Sequence, residues 1–365
     1  MKRKIFVLCT LLLLALAVVA CGGATTPEEP AGEPEVEEPI VDEPTEAMAE
    51  EPTEEMMEEP TEEMMEEPTE EMMEEPTEEA MEEPTEEAAG GAAGDLGTAD
   101  NPIIMSFVPS GDTQEIIASG EEIAAMIEER TGLTVEANVA TSYSAVVTAM
   151  CEGNAPVGWL NTFSYIVAHE QCGVDVGLAT VRFGEPFYTG QIIANADAGI
   201  TELADVEGHT ICWVDQFSTS GYIIPRVMLA AEGVDVDALE ATEAGSHPNV
   251  VTAVYNGDCD AGATFVDART AIAEEFPDVN EKVVVVAESP EIPNDTVSFA
   301  PDVPEEIREQ IVTALQDIAG TEEGAAALDQ VYEIEGFEEV DDSFYDEFRT
   351  VLDASGIDVA ELAGE

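Results

Sequence analysis

The sequence predicts an α/β protein of two lobes that face one another across a ligand cleft. Three observations predict it. From Asn101 onward, strand-like apolar runs alternate with segments of helical period, which implies sheets rich in parallel strands and covered by helices. This part of the chain is 265 residues long, large for one α/β core and comfortable for two. The apolar run His209 to Val214 ends in the turn Asp215-Gln216-Phe217-Ser218-Thr219-Ser220-Gly221. That turn lies at the carboxyl end of a strand, where open α/β sheets hold their ligands.

Taken in order, the chain starts with Lys2, Arg3 and Lys4 before an apolar run from Ile5 to Ala20. A charged start, a short apolar core and small residues at the boundary predict a signal segment over 1–20 rather than a spanning helix. Val18-Val19-Ala20-Cys21-Gly22 resembles a bacterial lipobox, in which the cysteine is acylated. The expectation is a lipid anchor at Cys21 that holds the protein on the outer face of a membrane; an ordinary signal with a chance cysteine is the alternative.

Residues 21–100 read as a disordered acidic tether. Glu50-Glu51-Pro52-Thr53-Glu54-Glu55-Met56-Met57 recurs with a period of eight, so a proline interrupts every incipient helix and like charges repel. As a flexible coil this stretch spans roughly 50 Å. Paired methionines are soft metal ligands, but a duplicated spacer explains them more simply.

In the folded part, Ile103 to Val108 reads as a strand. Thr113 to Glu129 is an amphipathic helix, apolar at 116, 117, 123, 124, 126 and 127, that stops near Thr131-Gly132. Strands follow at 133–139, 157–160, 174–182, 191–194, 209–214, 261–266, 282–287 and 296–299. Helices are predicted at 144–151, 163–170, 222–232, 248–256, 268–275, 304–318, 321–330 and 342–354.

The formal charge of the whole chain is −72. Residues 101–365 hold 51 acidic and 7 basic residues, and Lys282 is their only lysine. Nucleic acid is excluded as a partner because the basic footprint is missing, and protein charge cannot draw the chain to anionic lipid. No Cys/His cluster or CxxC spacing points to a metal, and nothing implies a cofactor. No GxSxG, HExxH or Walker A pattern points to an enzyme.

The hydroxyl turn has two readings. Ser and Thr are ordinary helix N-caps. A helix start also offers unpaired N–H groups and partial positive charge, which suit a phosphate-like anion. Three neutral hydroxyls can grip such an anion without Lys or Arg, even in so acidic a chain.

Further stretches bear on the choice. Thr141-Ser142-Tyr143-Ser144-Ala145 precedes a helix, and Val157-Gly158-Trp159-Leu160 is followed by Phe163-Ser164-Tyr165. Ser218-Thr219-Ser220-Gly221-Tyr222 with Pro225 comes next, and then Gly245-Ser246-His247 opens a helix. Tyr255 to Ala263 and Glu288-Ser289-Pro290-Glu291-Ile292-Pro293-Asn294-Asp295 complete the series. In this order the chain resembles the phosphate/phosphite/phosphonate-binding proteins of ABC importers, the PhnD-like group. The resemblance covers most of 101–350.

The resemblance implies a type II periplasmic-binding-protein fold, with two crossing strands near 188–196 and 288–298 as the hinge. Lobe one is then 101–190 with 291–365, and lobe two is 191–290. The implied function is delivery of phosphonate, phosphite or phosphate to an ABC permease. A sensor that presents its closed form to a receptor kinase has the same fold, and a phosphoester hydrolase is a third class.

By the resemblance, the phosphoryl group is gripped by Ser218, Thr219, Ser220 and Gly221 with His247. Tyr143 and Tyr165 are the implied aromatic walls, and Asp267 accepts a P–OH or an amine. Plain core aromatics and a plain N-cap are the alternative readings of these last three. Where the family often has Gly-Pro after the Trp159-Leu160 strand, this chain has Asn161-Thr162. Four cysteines remain beyond Cys21, and they allow three connectivities. Cys151–Cys172 and Cys212–Cys259 keep each bridge inside one lobe; four buried free thiols are the alternative.

Overall fold

The computed structural model describes residues 95–357 and residue 359. The predicted signal segment, Cys21 and the acidic repeats lie outside the described residues.

The first elements are β1 (Ile103–Phe107), α1 (Thr113–Thr131), β2 (Val135–Val139), α2 (Tyr143–Cys151), β3 (Val157–Leu160), α3 (Thr162–Cys172) and β4 (Asp175–Val181). Then come β5 (Phe187–Asn195), β6 (Thr210–Trp213), α4 (Ile224–Ala231), β7 (Glu240–Glu243), α5 (His247–Asn256), β8 (Ala261–Phe265), α6 (Val279–Lys282) and β9 (Val283–Pro293). The chain closes with β10 (Thr296–Phe299), α7 (Glu305–Ala319), α8 (Glu322–Tyr332), β11 (Gly336–Glu339) and α9 (Asp346–Ser355).

The strands form a six-stranded sheet, β11-β4-β10-β3-β1-β2, and a five-stranded sheet, β7-β6-β8-β5-β9. Helical crossovers make the β1–β2, β1–β3, β6–β7 and β6–β8 pairings parallel. The remaining pairings are antiparallel: those of β5, β9 and β10 because the crossing strands reverse direction as they enter each sheet, and that of β11 with β4 at the sheet edge. β5 and β9 pair along most of their length. At their ends Asn294 N donates to Pro186 O and Thr180 N donates to Asp295 O, which binds the two crossing segments together. This is the two-lobe fold with a double-stranded hinge.

The local chemistry accounts for the elements. Asp112 caps α1 by accepting from Gln114 N and Glu115 N at 2.9 and 3.1 Å, and the helix stops at Gly132 with φ 75°. Its buried Ile116, Ile123 and Ile127 pack in one core with Ile103, Met105, Phe107 and Trp159. Phe107 stacks on Trp159 with ring centroids 5.0 Å apart. A smaller core around Ile192, Ile211, Trp213 and Leu229 backs the second sheet.

Two details differ from the prediction. The helix expected at 268–275 is a single tight turn, Ala268–Ile272. Two edge strands, β7 and β11, escape prediction because they are short and rich in glutamate, without apolar alternation. Both expected disulfides are present: Cys151–Cys172 and Cys212–Cys259. They close loops of 21 and 47 residues. Chain entropy assigns them about 3 and about 4 kcal/mol of stabilisation.

Candidate functional site

After β6 the chain turns back on itself before α4. Ser218 N donates to Asp215 O at 2.8 Å, and Val214 N donates to Gly221 O at 3.2 Å. The Ser218 hydroxyl accepts from Gly221 N at 3.1 Å, as a cap does. Ile223 N reaches back five residues to Ser218 O at 3.0 Å, so the first turn is a wide π turn. Its opening amides, Thr219 N and Ser220 N, have no intrahelical partner by construction. Gly221 is forced: a Cβ there would lie 2.4 Å from Val214 Cγ2. The expectation that Gly221 itself grips the ligand changes accordingly. Its N–H serves the cap, and the residue does not line the cavity described next.

Residues from both sheets meet over this turn and enclose a cavity of about 340 Å³. His247 N donates to Ser110 O at 3.0 Å, and Asn161 Nδ2 donates to Phe217 O at 2.7 Å. Tyr143 N reaches Asp215 Oδ2 at 3.4 Å. These bonds tie elements that carry strands of the first sheet to elements of the second, so the lobes are closed on one another.

Thr219 is central to that closure. It is 1% exposed, and its Oγ1 accepts from Asn161 Nδ2 at 2.8 Å and from Phe163 N at 3.0 Å. A hydroxyl has two acceptor lone pairs and one proton. Both lone pairs are filled from the opposite lobe, so Thr219 can only donate further. Closure therefore converts this hydroxyl into an obligate donor. Ser220 and Thr219 lie beside the Tyr188 hydroxyl, whose titration burial pushes up.

His247 lines the cavity and is buried. Burial, with the nearby Arg182 charge, lowers its pKa to about 3, so the ring is neutral. Nδ1 pairs with Thr264 Oγ1 at 2.7 Å. When Thr264 donates in that pair, the ring proton sits on Nε2 and can be donated onward. Tyr143 also lines the cavity, and burial keeps its hydroxyl protonated. That hydroxyl lies beside Ser218 without completing a hydrogen bond.

Two expected residues fall elsewhere. Tyr165 donates to Asp342 Oδ1 at 2.7 Å and packs on Tyr345 with centroids 4.8 Å apart. It anchors the C-terminal part of the chain; the aromatic residues that line the cavity are Tyr143, Tyr188, Phe265 and Tyr332. Asp267 caps its own turn through Arg269 N and pairs with the Arg269 guanidinium at 2.7 Å. It does not line the cavity, and the cap reading holds. Nor does it reach His247, whose Nδ1 is held by Thr264.

Among the carboxylates that line the cavity (Asp112, Glu115, Asp295, Asp329 and Glu333), Asp295 lies in the short link between β9 and β10. Burial raises its pKa to about 6 against an opposing pull from Arg182. Near neutral pH it is largely a carboxylate, an acceptor without protons of its own. Asn161 and Arg182 complete the set. Asn161 Oδ1, Tyr143 Oη and Arg182 Nε are all buried without a hydrogen-bond partner. Three unmet polar atoms belong to residues of this one cavity, which makes it the candidate ligand site, since each is costly unless something meets it. Sequence signals for these residues were thin: the Asn161-Thr162 pair after β3, and a base bracketed by apolar residues at Val181-Arg182-Phe183.

Comparison with known proteins follows the same line. The family model described as "ABC transporter, phosphonate, periplasmic substrate-binding protein" matches residues 105–345. The chain belongs to this family. The phosphate-import protein PhnD of Mycolicibacterium smegmatis is 34% identical over 175 residues, covering 45% of this chain and 54% of the relative. The phosphonates-binding periplasmic protein of Escherichia coli is 23% identical over 211 residues, covering 56% and 62%. The matched stretches thus span about half to three-fifths of these relatives.

Solved structures carry the same fold. A binding protein component of an ABC phosphonate transporter from Pseudomonas aeruginosa superposes with TM-score 0.65 at 22% identity, over 70% of this chain and 87% of that one. PhnD1 from Prochlorococcus marinus, solved with methylphosphonate, gives TM-score 0.63 at 15% identity, over 70% and 98%.

Proposed function

We propose that the protein is the extracytoplasmic binding component of an ABC importer, and that it carries a phosphonate, phosphite or phosphate between its lobes to the permease. The observation that carries this reading is the buried hydroxyl trio Ser218, Thr219 and Ser220 at a helix start, with Thr219 held as an obligate donor. A phosphoryl group there accepts from the hydroxyls, from the opening amides of the turn and from His247. Asp295 on the same cavity accepts the P–OH that a singly protonated phosphoryl group carries, or the ammonium of an aminophosphonate. A sulfonate has no such proton and meets the carboxylate with repulsion. The cavity holds about ten water volumes, more than a tetrahedral anion fills, which leaves room for an organic substituent.

Closure supplies the signal to the permease. Ligand contacts from both lobes favour the closed state over the open one. The test is a thermal-shift panel of phosphate, phosphite, methylphosphonate and 2-aminoethylphosphonate, with methanesulfonate as control. At least one phosphorus oxyanion is expected to raise the melting temperature while methanesulfonate does not. A shift with methanesulfonate alone would sink the assignment.

The proposal includes a lipid anchor at Cys21, supported by the lipobox-like Val18-Val19-Ala20-Cys21. The acidic stretch predicted over 21–100 then tethers the binding domain near its permease. Cys21→Ser is expected to move the protein from the membrane fraction to the soluble one, and a variant that stays with membranes contradicts the anchor.

A further inference from the structure

We propose that Arg182 is an additional phosphoryl-binding, charge-selecting residue of this cavity and that Glu333 competes with the ligand for it. The inference rests on the phosphoryl reading above. Of the seven basic residues between 101 and 365, Arg182 alone lines the cavity. It follows β4, at the edge of the hinge, and its side chain is 5% exposed. A buried cation is costly unless it is paired.

The pairing in place is partial. Arg182 Nη2 donates to Glu333 Oε2 at 2.7 Å, and the guanidinium carbon lies 4.5 Å over the Phe265 ring. Phe265 closes β8 in the other sheet and packs edge-on against His247. So the cation is clamped between its own lobe and an aromatic of the opposite one. A guanidinium has five N–H donors. Nε is buried without an acceptor, and Nη1 makes no hydrogen bond among the described residues. A phosphoryl oxygen supplies the acceptor that these donors lack. The charge already reaches the other walls, since it acts on both His247 and Asp295.

Glu333 is placed to yield. Its side chain is 38% exposed, and it ends α8 in a left-handed conformation, φ 57°. Water can take over its carboxylate when the ligand draws Arg182 away. The pair thus neutralises the cation in the ligand-free protein and releases it to an incoming oxyanion. The ligand class this favours is a phosphoryl group with one oxyanion charge for Arg182 and one P–OH for Asp295.

The test is calorimetric titration of methylphosphonate into the native protein and into Glu333→Gln, Arg182→Gln and the double variant, each checked for its melting temperature. Removing the competitor by Glu333→Gln is expected to tighten binding several-fold. Arg182→Gln is expected to weaken it roughly tenfold or more, the scale of one charge-assisted hydrogen bond. The double variant is expected to match Arg182→Gln, because Glu333 has nothing left to withhold. If the pair is only structural, both single variants melt lower and bind with native affinity, and that result overturns the proposal. Should Arg182→Gln fail to fold, Glu333→Gln decides alone: native or weaker affinity overturns it. A native protein that binds none of the phosphorus oxyanions fails the phosphoryl reading instead.

Discussion

Replacing Ser218 and Thr219 together by alanine is expected to abolish measurable methylphosphonate binding while the protein stays folded. The Thr219 hydroxyl carries most of this effect. It accepts from Asn161 Nδ2 and Phe163 N, and it has one proton left for a ligand. Truncation deletes a donor to an oxyanion, worth about 1.5–3 kcal/mol. It also strands two donors from the opposite lobe in the closed state, at about 1–3 kcal/mol each. The sum is at least about 3.5 kcal/mol, or several hundredfold in affinity. Loss of the Ser218 cap takes about 1 kcal/mol from the turn, which a domain with two disulfides tolerates. Thr219→Ser keeps the hydroxyl and should bind nearly as the native protein does. Calorimetry reads the affinity and a melting curve reads the fold. Native affinity in the double variant would remove the turn from the site.

Asp295→Asn is expected to stabilise the ligand-free protein at neutral pH and to flatten its stability profile. Burial lifts this carboxyl from its ordinary 3.8 to about 6 in the folded state. A raised carboxyl pKa means that the folded state disfavours the ionised form. Below about pH 4 the group is protonated in folded and unfolded chains alike and imposes no penalty. As pH rises from about 4 to about 6 the unfolded chain ionises more readily, and stability falls. Above that window the loss is constant, about 2 kcal/mol after allowance for its partial exposure to the cavity. Other carboxylates, such as Asp260 and Asp342, are shifted down and slope the opposite way. The difference between native and variant isolates Asp295. Urea melts at pH 4 and pH 7.5 should therefore coincide at the lower pH and favour the variant at the higher. A variant that is less stable at pH 7.5 would contradict the burial account. The native carboxylate is retained, on this view, because it reads the proton of the ligand.

Much of the site was legible in local sequence. A strand running into three hydroxyls and a glycine specifies its turn within one stretch, and Ser218 caps as its chemistry requires. Gly245-Ser246-His247 opens α5 and delivers a buried histidine to the cavity. The cysteine pairs followed from keeping each bridge inside a lobe.

What escaped is non-local. Arg182 and Asp295 lie on the two crossing segments, which come together only because β5 and β9 pair antiparallel. Nothing near Asp295 in the chain says that Thr180 will hold its carbonyl. Tyr165 misled because a buried aromatic on a helix reads the same whether it faces a ligand or, as here, Tyr345 and Asp342. Asp267 misled for a similar reason: an acid after a strand suits a pocket and a cap equally, and Arg269 two residues on settles it as a cap. Asn161 escaped because only the fold brings it, with Phe163, onto Thr219 of the other lobe.

The central claim is that this cavity holds a phosphorus oxyanion by the turn at 218–220. Calorimetric titration of methylphosphonate into the purified protein tests it most directly, with methanesulfonate as the isosteric control. The account predicts saturable one-to-one binding of methylphosphonate and no heat with methanesulfonate. Silence toward methylphosphonate, 2-aminoethylphosphonate, phosphite and phosphate alike would contradict it.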